Sequence, residues 1–396
     1  MATWGLPFIL GLALLDRTLT GTQLGVLLAI RTVGYLAAVP VGGVLADRHP
    51  TRRVIRAAGL AAAAGVPLIA IGLGRSGPLA VVGAALAGAG HGASRPAFQA
   101  FVTEVVEPLR LQEANAAITL AVQGTALVPP AVAALASAFV GPRVLLLGTA
   151  ALWAAAAALP PRGRPSEARR PPAARRRDRS SYASDLVAGV REARRHPWFL
   201  AGLGALTTVV ATGFAATSVA LPLVSRDRYG SEGVLAAATT AYTVGALAGA
   251  FVMARWRPGS PGRVALAGLA SYALAPLALL LPVHPAVVVA AYVVAGVGVE
   301  VFNVPWFTAT QREVAPDLLA RVSALDFLAT YGLSPLGLAV IAPAIDAFGA
   351  PGVLAGCAAA CVLAPAAAAL VPSSRCFSTD SGTDRAALPT TDVSSG

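Results

Sequence analysis

Residues 42–53 read GGVLADRHPTRR and join two long apolar runs, 23–46 and 54–73. Asp47, Arg48, His49, Arg52 and Arg53 fall within seven positions, directly after a Gly-Gly pair. Charge gathered so tightly between greasy segments marks a short, water-facing loop between two membrane helices.

The rest of the chain agrees. Of its 396 residues 56% are hydrophobic and 12% charged, and the mean hydropathy is +0.69. An ordinary soluble domain carries about 25% charged residues, and single soluble cores stop growing near ~250–300 residues. Twelve apolar segments follow one another: 1–15, 23–46, 54–73, 78–101, 114–140, 143–159, 198–224, 232–254, 264–283, 285–309, 321–345 and 351–371. Most are long enough to cross the ~30 Å hydrocarbon layer as helices. The sequence therefore predicts an all-α polytopic membrane protein with twelve transmembrane helices in a 6+6 arrangement. Segment 1–15 yields only about 22 Å of helix, so the first helix is expected to be N-terminally shortened, its natural beginning lying upstream of Met1.

The expected organisation is a six-helix bundle over 1–159, a cytoplasmic Arg/Pro-rich linker over 160–197, a second six-helix bundle over 198–371 and a disordered tail over 372–396. The first half of the linker has a disorder-prone composition. Its second half, DLVAGVREARRHPW, places Leu186, Val187 and Val190 on one helical face and Arg191, Arg194 and Arg195 on another. That pattern suits a helix lying on an anionic membrane surface. A faint internal echo links the halves: GALAGAFVMARWRPGSPGR (245–263) follows segment 8 as GGVLADRHPTRR follows segment 2.

All 30 basic residues are Arg and the net charge is +11. In a soluble protein that balance would suggest nucleic acid. Here the Arg distribution is an orientation signal: 23 lie in or at the edges of the even-numbered loops and the tail, five in or at the edges of the odd-numbered loops, and Arg31 and Arg95 lie deeper within segments. This bias puts both termini and the linker in the cytoplasm, and no nucleic-acid partner is expected. Three cysteines are too few for a disulfide framework; Cys357 and Cys361, on one face of an apolar helix, read as buried thiols.

The loop G43-V-L-A-D47-R48-H-P-T-R52-R53 resembles the signature loop of the major facilitator superfamily. SRPAFQAFVTEVVEPLRLQEANA (94–116) and FNVPWFTATQREVAPDLLARVSALDFLATYGLSPLG (302–337) are similar to stretches of its enterobactin-exporter-like and macrolide-efflux-like branch. The resemblance implies two bundles rocking about a central cavity in the bacterial plasma membrane and exporting small molecules, usually in exchange for protons. It also implies a latch built from the loop, with Gly43, Asp47, Arg48, Arg52, Arg53 and Glu104 as members. The sequence departs from the pattern at Thr51, where the family places Arg, so Arg52 or Arg53 is expected to hold Asp47. In helix 5 the family's Gly/Pro antiporter pattern survives as Gly124 and Pro129, the helix-bend candidates, while Val128, Val132 and Ala133 replace neighbouring glycines.

Read from the residues alone, Gly42 and Gly43 permit close helix approach, and Asp47 could bind Arg52 in a charge-assisted hydrogen bond. The alternative is a loop rich in Arg for topology only, which leaves Asp47 unexplained because acids contribute little to orientation. Ionisable groups within the bilayer each cost ~2.5–3.5 kcal/mol at a helix centre. Arg31 lies about 12 Å into helix 2, His91 mid-way along helix 4, and Glu300 about two-thirds along helix 10. Glu300 suits a proton-loading carboxyl; its alternative is a static pair. His91 is either functional or a bystander in a close crossing of small residues. Asp326 is expected to dock helix 11 against the signature loop. Asn303 shares a face with Glu300, Gln123 is a further cavity candidate, and Trp306 reads as a cavity aromatic or an interfacial anchor.

Neither HExxH, CxxC, GxSxG nor a P-loop occurs, so an enzyme or self-contained ATP-driven pump is not expected, and no cofactor or metal is called for. The expected partners are a small, amphiphilic organic substrate of antibiotic or siderophore class, protons and the lipid bilayer, with the chain working as a monomer. An importer or uniporter of a small metabolite, a channel, or a non-transporting membrane protein are the alternatives.

Overall fold

The computed structural model describes residues 2–73, 77–161 and 182–378, and among them each of the twelve expected segments is a helix. The first six are α1 (Ala2–Leu15), α2 (Gly21–Arg48), α3 (Thr51–Gly72), α4 (Gly77–Val105), α5 (Leu111–Ser137) and α6 (Pro142–Ala158). The linker supplies α7 (Tyr182–Arg194). Then come α8 (Pro197–Asp227), α9 (Gly233–Arg255), α10 (Pro261–Leu280) and α11 (Pro285–Glu313). A continuous run, Leu319–Leu370, is broken at Gly349 into α12 (319–348) and α13 (350–370). Gly349 has φ 77°, a conformation that any side chain would strain. Eight of the described helices are long and apolar enough to cross a membrane, with shorter apolar helices at Gly5–Leu15 and Pro142–Ala158.

Local chemistry sets the boundaries. Thr20 and Gln23 form a reciprocal capping box that starts α2. Pro50, which cannot donate to a helix, separates α2 from α3. Small residues bring backbones together: α2 crosses α4 where Gly88 and Gly92 meet Arg31 and Tyr35, and α9 crosses α11 where Gly245 and Gly249 meet Val293 and Val297. The second and fourth helices of each set of six thus pack in the same way, a structural counterpart of the internal echo.

The first six helices enclose a core that includes Leu10, Ile69, Leu73 and Leu146. The last six surround a larger core centred on Trp198, Phe199, Phe302 and Trp306. Trp306 stacks on Phe199 at 5.0 Å and is fully buried, so it is a core aromatic and not an interfacial anchor. Cys357 and Cys361 are buried free thiols, as expected.

One expectation is corrected here. The chain beyond 372 is not a loose tail from its start: Pro372–Arg375 form a 3-10 turn and Phe377, 1% exposed, packs on Trp198 and Trp306. Linker helix α7 packs on the protein through Asp185, Gly189, Glu192 and Ala193 and leaves Leu186 and Val187 exposed. The Arg/Pro-rich residues 162–181 and the chain beyond 378 lie outside the described residues.

Candidate functional site: the seams between the helix sets

At the Arg-rich end, the first six helices meet the last six along two seams. The first joins α2 to α12. Helix α12 starts after Leu318 with no side-chain cap of its own, leaving amide protons at its first turn that helix geometry cannot pair. Asp47 supplies the cap from α2: Oδ1 accepts the Ala320 amide and Oδ2 the Arg321 amide, each at 3.2 Å. The positive end of the α12 dipole favours a carboxylate there. The Arg321 guanidinium adds an ion pair to Oδ2 at 3.2 Å, and the Asp47 side chain is fully buried. Gly43 makes the approach possible, since a Cβ would lie 2.9 Å from both the Ala320 carbonyl oxygen and Ala324 Cβ.

The linker helix closes over this seam. Asp185 of α7 forms ion pairs with Arg48 of α2 and, at 3.4 Å, with Arg321 of α12. Asp185 and Arg321 were not apparent as candidates from sequence. The signal for Asp185 is an acidic residue in the first turn of an otherwise basic amphipathic helix.

Three expected roles change. Arg52 does not hold Asp47; its Nε donates to the Pro160 carbonyl at 2.8 Å. Arg53 is exposed at the surface. Glu104 is engaged by Thr51, whose hydroxyl donates to it at 2.7 Å, so the residue that departs from the family pattern makes the link itself. Asp326 does not dock α12 on the signature loop. It faces α11, accepting from Trp306 Nε1 at 3.3 Å and from the Thr330 hydroxyl at 3.4 Å.

The second seam joins α4 and α5 to α9 and α11. Gln112 donates to the Met253 and Trp256 carbonyls. Deeper in, Asn115 donates to Thr308 and Gln311, and Gln311 donates to Gln99 at 2.8 Å. Deepest is Glu300, 3% exposed, accepting from Gln123 at 2.6 Å and from Asn303 at 3.2 Å. Glu300, Asn303 and Gln123, three separate sequence candidates, form one cluster. Asn115, Gln99 and Gln311 were missed, although amides within apolar helices are a readable signal.

A third cluster lies beside the first seam, between α2, α4 and α12. The His91 ring is 5.0 Å from Tyr35 and 6.1 Å from Trp153. Arg95, one turn further along α4, donates to the Tyr331 hydroxyl at 3.4 Å and lies over the Phe327 and Tyr331 rings. Arg31 is half-buried on α2, one turn from Tyr35. Gly124 and Pro129 both fall within the uninterrupted helix α5; the Pro129 side chain lies outside the described residues. No cluster of three or more metal-ligating side chains occurs among the described residues.

Comparison with known proteins fits this architecture. The human organic anion transporter MFSD10 (TETRAN) superposes with a TM-score of 0.70 at 14% identity, over 92% of this chain and 89% of that one. A bacterial homologue of the iron transporter ferroportin, in its outward-facing state, gives 0.69 at 13% identity over 93% and 96%. The Escherichia coli fucose:proton symporter FucP gives 0.66 at 17% identity over 93% and 97%. At these identities the likeness is one of fold. A search of curated proteins returns no match. The sequence profile of the Major Facilitator Superfamily matches residues 1–337; with the fold of that family's transporters, the chain belongs to the Major Facilitator Superfamily.

Proposed function

We propose that this protein is a secondary active transporter of the enterobactin-exporter-like and macrolide-efflux-like branch. It exports a small, amphiphilic organic compound of antibiotic or siderophore class in exchange for protons. It works as a monomer in the bacterial plasma membrane, with both termini cytoplasmic. The bundles over 1–159 and 198–371 rock about a central cleft, and the form described above is closed at the cytoplasmic end. Asp47, Gly43, Arg48 and Glu104 belong to the latch that holds this form. Thr51, Asp185 and Arg321 are proposed as additional members.

The observation that carries the reading is Glu300. It is a carboxyl buried about 20 Å from the Arg-rich end of α11, held by two neutral amides, one of them from the opposite helix set. Parting the bundles removes Gln123 and rehydrates the carboxyl, so proton binding and bundle opening are linked. Such intramembrane acids mark proton relays.

The test is pH-gradient-driven movement of an amphiphilic dye out of vesicles carrying the purified chain. Saturable movement that follows the proton gradient supports the proposal; conduction without saturation indicates a channel, and accumulation against the expected direction indicates an importer.

A further inference from the structure

We infer that the cluster of Tyr35, His91, Arg95 and Tyr331 is an anion subsite, and that the transported compound carries a carboxylate or equivalent acidic group on an aromatic body. This rests on the transporter reading above and names its substrate class.

Arg95 sits about 15 Å from the C-terminal end of α4, where a charge persists only when something compensates it. Its compensation comes from the Tyr35 and Tyr331 phenols and, at longer range, from the Asp326 carboxyl, with no direct ion pair. Among the described residues no carboxylate oxygen approaches its guanidinium within 4.0 Å, and its Nε is buried without a hydrogen-bond partner. What surrounds it are π faces, Phe327 at 5.3 Å and Tyr331 at 5.7 Å. The nearby carboxyl of Asp326 is occupied by Trp306 and Thr330.

The donors converge. The Tyr35 hydroxyl is buried against the Arg95 guanidinium, on a residue only 8% exposed. The rings of Tyr35 and Tyr331 are 6.0 Å apart, and the Tyr331 hydroxyl already faces Arg95. A site with a guanidinium, two phenols and an imidazole is rich in protons to give and poor in acceptors. A carboxylate answers that deficit, taking guanidinium N–H and phenol O–H together in charge-assisted bonds. A cation would be repelled, and a neutral amide would leave the charge unmatched.

The subsite is reachable. Tyr331 touches residues of α2 and α4 yet remains 45% exposed. Trp153, half-buried beside His91, offers a flat apolar surface for a ring system.

The experiment compares 2-naphthoate with the neutral 2-naphthamide, which share one body and differ in charge, by calorimetric titration of the purified full-length chain. The wild type should bind the carboxylate about tenfold tighter than the amide. Arg95→Gln should bring that ratio to near one, and Arg95→Lys should retain part of it. Should Arg95→Gln fail to fold, Tyr331→Phe at its half-open position decides, with an expected loss of several-fold in the ratio. No preference for the carboxylate in the wild type, or one unchanged in the folded variants, overturns the inference. Transport separates it from the function it rests on. Arg95-dependent binding of naphthoate with no movement of it across vesicles leaves the subsite standing and fails the transporter reading. Proton-driven movement of a neutral or cationic dye, untouched by Arg95→Gln, does the reverse.

Discussion

Gln123 on α5 donates its amide to Glu300 on α11 across 2.6 Å, tying the two helix sets together at the deepest point of their second seam. The bond cannot survive separation of α5 from α11, and the proposed proton coupling rests on that link between Glu300 and the position of the helices.

Glu300→Gln keeps the size of the side chain and removes its titration. Proton-gradient-driven efflux should fall to background, while exchange of substrate against substrate continues at a comparable rate. Vesicle assays at several external pH values check this, and a pH dependence unchanged from wild type would overturn the coupling role.

Asp47→Asn removes the ion pair to Arg321 and replaces one of the two amide-accepting oxygens with a donor. Hydrogen bonds to charged groups contribute about 1.5–3 kcal/mol, so the form closed at this end should lose about tenfold or more in population. Spin labels at the exposed positions Arg53 and Arg257, in a background without native cysteines, read the distance between the helix sets. The expected result is a new, longer-distance population in Asp47→Asn.

Gly42 and Gly43 should fail differently. A Cβ at Gly42 would lie 2.5 Å from the Ala93 backbone on α4, within the first six helices, whereas at Gly43 it meets α12. Gly42→Ala should therefore lower thermal stability, overpacking costing about 1–3 kcal/mol. Gly43→Ala should leave the melting temperature nearly unchanged and produce the same long-distance population as Asp47→Asn. Melting curves beside label distances distinguish the two.

Asp185→Asn should free the linker helix. Limited trypsin digestion would then cut after Arg191 and Arg194 several-fold faster, with the transmembrane fragments intact. Equal digestion rates would show that α7 is held by its Gly189 and Ala193 packing alone.

Trp306→Phe should retain most of the aromatic packing with Phe199 and Phe302 and lose the donor to Asp326. A buried acceptor left unpaired costs about 1–3 kcal/mol. Trp306→Ala should cost more, about 3–5 kcal/mol, because it also opens a cavity. Thermal unfolding in detergent ranks the two.

Membrane helices were readable because the bilayer imposes length and polarity on every span, and all twelve segments appear within a few residues of their expected limits. Glu300, Gln123 and Asn303 were also legible, as polar groups where apolar ones belong, but their assembly into one cluster was not, because Gln123 and Glu300 are 177 residues apart. The partner of Asp47 was misread for a deeper reason. Sequence patterns suggest side chains as partners, and Arg52 was the nearest suitable one; the main-chain amides that answer Asp47 look like every other amide. Thr51 was read as a loss because it lacks charge, yet a hydroxyl reaches Glu104 as well as a guanidinium would. The tail was misread because its Ser- and Thr-rich composition conceals one anchoring aromatic, Phe377.

The cap that Asp47 places on α12 is encoded only once. No side chain at 320 or 321 supplies those two protons, and only proline could withdraw them. Of the contacts Asp47 makes with α12, only the Arg321 ion pair can be traded for a compensating substitution; the two amide bonds cannot. Searches for paired substitutions would therefore see Arg321 alone, while saturation mutagenesis would find Asp47 intolerant even where residue 321 has changed.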